Sequence, residues 1–296
     1  MNKASEWLSS FNSNYQSEIK SLIDTKKESQ KKTMSIAITG GKGGVGKTSI
    51  ALKIAKNMAE SGMKVLLIDC DYNLSNTSIK LGLPIDNTFY SLVSAQKSFT
   101  DCLYKEGNFH LLSACNGSVD LFDANLKIEE IIIDIINTHE DEYDFILLDS
   151  PAGLSRESLV LNAYCDERIV VVTPDRASIT DSYSLVKMLS KKFGVNQNYL
   201  LVNMLHSRSQ FQRVVHTMSE TTENFLGVRT KILGGVKKIN IEAGQFDTYF
   251  LAGGNNDLHK SFNKVVKKLS EELGRHKISQ GVLPMKSNEL FEQEVQ

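Results

Sequence analysis

The run Gly40-Gly41-Lys42-Gly43-Gly44-Val45-Gly46-Lys47-Thr48 constrains this chain more than any other stretch. Residues 41–48 satisfy G-x-x-x-x-G-K-[ST] at every position. They follow the β-branched run SIAIT (35–39) and precede a helical pattern over 48–60. A strand, a glycine loop and a helix in that order gather consecutive main-chain N–H groups around one point and aim the helix's positive end at it. That arrangement grips phosphate. Gly41, Gly43, Gly44, Val45, Gly46 and Ser49 supply the cradle, Lys47 is expected to reach the β- and γ-phosphates, and the Thr48 hydroxyl is expected to ligate Mg²⁺. A glycine-rich turn without a ligand is the competing reading, and the strand before it and helix after it argue against that.

The rest of the chain repeats the same alternation. Candidate strands are 35–39, 64–69, 109–114, 143–149, 168–173, 199–203 and 228–233, and helix-period segments over 48–60, 126–138, 178–192 and 209–226 lie between most of them. Alternating strands and helices imply right-handed crossovers. The expected fold is α/β: a doubly wound, mainly parallel sheet of about seven to eight strands, with helices on both faces. Ligands of such sheets sit at the carboxyl ends of the strands. Three regions result: a polar leader over 1–32, the α/β unit over 33–274, and a polar tail over 275–296.

Two strand ends carry carboxylates. The first run ends Asp69-Cys70-Asp71, where two carboxylates beside a phosphate loop would repel unless a cation or water network intervened. The second, YDFILLD, is a hydrophobic strand ending in Asp149, the pattern that holds Mg²⁺ through water, and Ser150-Pro151-Ala152-Gly153 follows it. No Ser/His/Asp or Cys/His arrangement suggests covalent catalysis, and the six histidines are scattered. Catalysis would therefore rest on positioning and electrostatics.

With its early lysine, the loop resembles the deviant Walker A motif of the MinD/ParA superfamily of ATPases. That resemblance implies an ATP-dependent homodimer in which Lys42 crosses to the partner's phosphates. Asp69-Cys70-Asp71-Tyr72-Asn73-Leu74-Ser75-Asn76 is similar to the family's D-x-D-x-x-x-x-N switch I. It implies that Asp71 orients the attacking water and Asp69 supports the Mg²⁺ shell. D-S-P-A-G resembles switch II, with the Gly153 N–H sensing the γ-phosphate. Asn203, at the end of YLLVN, stands where the family places an adenine-binding amide, which offers both donor and acceptor. The base-binding loop of the family normally carries a proline and an acidic residue, and Gly234-Gly235-Val236-Lys237-Lys238 has neither. DSPAGLSRES and TPDRASITDSYSLVKML look most like the flagellar-number regulators of the superfamily, so the implied role is a slow, partner-stimulated ATPase governing flagellum placement or number.

Partner expectations rest on the ends of the chain. In the leader, Trp7, Leu8, Phe11, Tyr15, Ile19, Leu22 and Ile23 fall on one helical face, a candidate element for a protein partner. Such a partner would be a flagellar signal-recognition-type GTPase or a basal-body or transcription component, although the D-Q-A-x-x-L-R motif of flagellar relatives is missing. Leu258, Phe262, Val265, Val266, Leu269 and Leu273 form an apolar stripe flanked by lysines, which fits either weak contact with an anionic membrane surface or packing on the sheet. Packing is the reading preferred here. The chain has no apolar run of the roughly 18–20 residues needed to span a bilayer, and no signal peptide. Its four cysteines are unpaired in spacing, so a cytoplasmic protein, peripheral to the membrane at most, is expected. A ParA-like partition role, binding DNA non-specifically, is the alternative, and a net charge of −1 weighs against DNA.

Overall fold

The computed structural model describes residues 33–71, 76–84, 88–114, 127–253 and 257–279. The leader over 1–32, Asn73 and Ser75 of the segment after Asp71, and Cys115 lie outside them.

Eight strands form one sheet: β1 (Met34–Thr39), β2 (Val65–Asp69), β3 (Leu103–Glu106), β4 (Phe109–Leu112), β5 (Phe145–Asp149), β6 (Glu167–Val172), β7 (Gln197–Leu205) and β8 (Arg229–Lys237). Their order is β3-β4-β2-β5-β1-β6-β7-β8. Every pairing is parallel except β3 with β4, an antiparallel edge hairpin. Strand β3 is absent from the seven read in the sequence because its residues, LYKE, are partly or fully exposed and present no apolar run. Its polar character is what a sheet edge in contact with water requires.

Alternate residues of the central strands enter opposite cores, as the period of two demands. Ile36, Val65, Leu67, Leu147 and Ile169 pack on one face with α1 (Lys47–Glu60), α8 (Ala243–Leu251) and α9 (Asp257–Ser279). Ala37, Leu66, Ile68, Ile146 and Leu148 face the other side, against α3 (Thr88–Val93), α4 (Ile128–Thr138) and α5 (Arg156–Tyr164). Further along that same face, α6 (Arg176–Phe193) and α7 (Arg208–Leu226) cover β6 and β7. The short α2 (Thr77–Lys80) follows β2. Helix α5 escapes a periodicity reading because Ser158 to Tyr164 are buried in an unbroken run, so it has no wet face to alternate with.

Local chemistry fixes several boundaries. Asp175 caps α6 by accepting the Ser178 N–H at 2.9 Å, and Ser207 caps α7 by accepting the Gln210 N–H at 3.2 Å. Two corrections concern the C-terminal third. Gly234-Gly235-Val236-Lys237 belongs to β8 and not to a loop, paired with β7 through a register shift. The final helix also continues past residue 274 to Ser279. Its stripe, Leu258, Phe262, Val265, Val266, Leu269 and Leu273, is buried in the same core as Ile36, so this face packs on the fold and is not presented to a membrane surface. No described helix is long and apolar enough to cross a membrane.

Candidate nucleotide site

The loop from β1 to α1 lies at the carboxyl end of the sheet's central strands. Gly46 takes φ 92°, which favours glycine, and a Cβ there would stand 2.5 Å from Asn203 Nδ2. Gly41 is required for a different reason. Its Cβ would stand 2.1 Å from the Asp181 carbonyl carbon, so α6 packs directly behind the loop. Helix α1 begins without a side-chain cap and without an acidic residue in its first turn, leaving its N-terminal amides to an outside anion. Around it lies a cavity of about 450 Å³ lined by Gly43, Gly44, Gly46, Lys47, Thr48 and Ser49. Asp71, Ala152, Asn203 and Lys238 line it too, and so do Lys80, Ile239, Phe246 and Phe250, which no sequence motif signals.

Asp69 and Asp149 are register partners on adjacent strands, and both are buried. Burial, followed by the charge of Asp69, pushes the Asp149 carboxyl up to about 8, against the pull of the Thr48 hydrogen bond and of Lys47. Asp149 Oδ1 is buried with no hydrogen-bond partner. An orphaned carboxylate oxygen beside a second carboxylate is chemically suited to a divalent cation, which would relieve both the repulsion and the unmet acceptor. Among the described residues no group of three His, Cys, Asp or Glu side chains could hold a metal alone. A cation here would be shared with the Thr48 hydroxyl and ligand oxygens, as Mg²⁺ usually is. Lys47 is buried, and burial lowers its pKa while Asp149 and then Asp71 favour its charged form.

Other predicted residues are placed differently. Asn203 is buried, its Nδ2 donates to the Val45 carbonyl at 2.8 Å and so braces the loop, and the residue lines the cavity. Gly41, Val45 and Gly153 do not line the cavity. The Gly41 N–H donates to Ser182 Oγ at 3.4 Å, the Val45 side chain is buried, and the Gly153 N–H is 3.5 Å from the Gly40 carbonyl. Ser178 and Ser182, part of the flagellar-like run, therefore have a structural use: the Ser178 Oγ accepts the Thr173 N–H at 3.0 Å, and Ser182 supports the loop.

Lys42 does not line that cavity. It lines an adjoining one of about 430 Å³, which shares Gly43, Gly44, Met204 and Lys238 with the first and adds Thr173, Pro174, Asp175, His206 and Gln210. Its Nζ pairs with Asp175 Oδ1 at 2.9 Å, both side chains being well exposed. The Thr173 hydroxyl is the main cause holding the Asp175 carboxyl down at about 2, with the Ser178 amide and Lys42 adding to it. Met204, which lines both cavities, has φ 56°, an uncommon backbone for a non-glycine residue and a feature the sequence does not signal.

A family model described as an AAA domain matches residues 33–201, more than half of the chain. The antiactivator FleN of Pseudomonas aeruginosa is 29% identical over 200 residues, covering 67% of this chain and 71% of FleN. The putative septum site-determining protein MinD of Emiliania huxleyi is 33% identical over 199 residues, 65% of this chain and 71% of that protein. Among solved structures, MinD from Pyrococcus horikoshii, complexed with Mg-ADP, superposes with a TM-score of 0.65 at 22% identity, covering 82% of this chain and 98% of that one. The chain belongs to the MinD/ParA superfamily of ATPases, on its FleN-like branch.

Proposed function

We propose that this protein is a Mg²⁺-dependent switch ATPase that dimerises on ATP and acts as a positional regulator, of flagellum placement or number in particular. The observation that carries the reading is the pairing of an uncapped, glycine-built cradle with a buried carboxylate whose oxygen lacks a partner. Similarity to an antiactivator and to a septum site-determining protein supports the positional role.

In this reading the N–H groups at the start of α1 and Lys47 hold the phosphates. Thr48, Asp69 and Asp149 would hold Mg²⁺, which when bound neutralises charge on the phosphate oxygens. Asp71, partly exposed at the mouth of the cavity, is left to orient water. Lys42, which does not line the cavity around the start of α1, is available to a second copy once its pair with Asp175 opens. Slow turnover fits the lack of a strong general base, and residues 1–32 are proposed as the partner-binding segment.

Calorimetry with ATP, with and without Mg²⁺, tests the first claim, and gel filtration of Asp71→Ala with ATP tests the second. Tight Mg²⁺-dependent binding and a persistent dimer are expected. A protein that ignores adenine nucleotides would end this reading. Salt-dependent DNA binding by the ATP form would favour the partition role instead.

A further inference from the structure

Asp69 is held in a way that neither strand register nor the phosphate loop requires. Its Oδ1 accepts the Asp71 N–H at 3.0 Å, and its Oδ2 accepts the Thr77 hydroxyl at 2.6 Å. One carboxylate thus anchors the chain just after β2 and again where α2 begins. Thr77 is fully buried and Asp69 nearly so, which removes water as a substitute donor. The Thr77 hydroxyl lies 3.4 Å from Ser113 Oγ, and Ser113 Oγ lies 2.7 Å from Ser78 Oγ. The Thr77 hydroxyl donates to Asp69, and its lone pairs remain to accept from the serine pair. The bland role for a threonine at a helix start is a cap. Here α2 has only four residues and Asn76 gives it no side-chain cap, while the Thr77 hydroxyl is directed at Asp69 on the preceding strand.

Resting on the ATPase reading above, we propose that Thr77 is a positioning residue of the hydrolytic site. Its hydroxyl fixes the orientation of the Asp69 carboxylate, and through the shared carboxylate it sets the backbone of Asp71. Without the hydroxyl, Asp69 can rotate about its terminal torsion, away from its position beside Asp149 and from the Asp71 amide. Ground-state binding of the nucleotide rests on the loop and Lys47, so turnover should suffer more than affinity.

The test compares Thr77→Val, which keeps shape and removes the hydroxyl, with Thr77→Ser, which restores it. Thr77→Val is expected to lower kcat by about 10- to 100-fold, the range for lost outer-shell support, with ADP affinity without Mg²⁺ changed by less than about twofold. In nucleotide-free protein the Asp71 amide should exchange its hydrogen faster in Thr77→Val, and Thr77→Ser should return both readouts towards the parent. Parent-like turnover and exchange in a folded Thr77→Val protein would overturn the proposal. So would a Thr77→Ser protein as impaired as the valine variant, since the methyl would then be what matters. If the parent protein itself does not hydrolyse ATP, the functional reading fails separately, and amide exchange still decides the role of Thr77.

Discussion

The two lysines of the phosphate loop, five positions apart, sit in opposite physical settings. Lys47 is buried, faces Asp149 and Asp71, and lines the cavity that holds the start of α1. Lys42 is exposed, lines the neighbouring cavity and is paired with Asp175. A buried cation placed against carboxylates is costly to remove, because it leaves uncompensated charge. An exposed ion pair is worth about 0–1 kcal/mol and exchanges partners readily. Under the function proposed above, the contrast divides the loop into a fixed face for the chain's own nucleotide and an exchangeable face for a second copy.

Four experiments can break or sharpen that division. Asp71→Ala should produce the largest effect, with turnover falling by about 10²- to 10⁴-fold while ATP binding persists. Single-turnover hydrolysis checks it, and a modest loss would mean that Asp71 is not the residue orienting water. Lys47→Ala comes next. Nucleotide affinity should weaken by about 100-fold, the weight of a charge-assisted contact in a dry site, as read by calorimetry. Binding close to that of the parent would place the fixed face elsewhere.

The third experiment concerns pH on the fixed face. Asp149 has a folded pKa of about 8 against an ordinary value of 3.8, so the nucleotide-free folded state holds a proton that the unfolded chain has released. Its contribution to stability is complete below about pH 4 and is lost as pH rises through about 8. Denaturant unfolding of the apo protein should show declining stability across that window, and Asp149→Asn should flatten this component. A parent curve that rises with pH, unchanged in the variant, would contradict the buried-carboxylate account. The smallest structural effect is expected on the exchangeable face. Asp175→Ala should remove little from the stability contributed by the ion pair, and Lys42→Ala should retain ATP affinity within about twofold while losing the ATP-dependent dimer. A Lys42→Ala protein that still dimerises would remove from this lysine its proposed role across the dimer.

The fixed face was legible in the chain's letters. Lys47, Thr48, Asp69, Asp71 and Asp149 each stand at the start of α1, at a strand end or just after one, and the structure gathers them at one end of the sheet. The stripe on α9 was legible as amphipathic, yet two surfaces could have received it, and only packing against α1 and β8 settled which. Asn203 adds a contact the sequence does not signal: its strand and position were legible, and its amide also meets a carbonyl brought close by the curl of a distant loop.

What this sequence determined by itself is seven of the eight strands and the main helices between them, the glycine cradle and the carboxylates at the strand ends, because these depend on local spacing and backbone freedom. Tertiary structure decided the partners: Asn203 with Val45, Lys42 with Asp175, Thr77 with Asp69, and Lys80 with Asp247 at 2.7 Å. Three of these four pairs join residues more than a hundred positions apart, and no local pattern encodes which distant side chain a crossover will deliver. The fourth spans eight positions, and there the deciding factor is burial, which turns an ordinary helix-start threonine into the hydroxyl donor of a dry carboxylate.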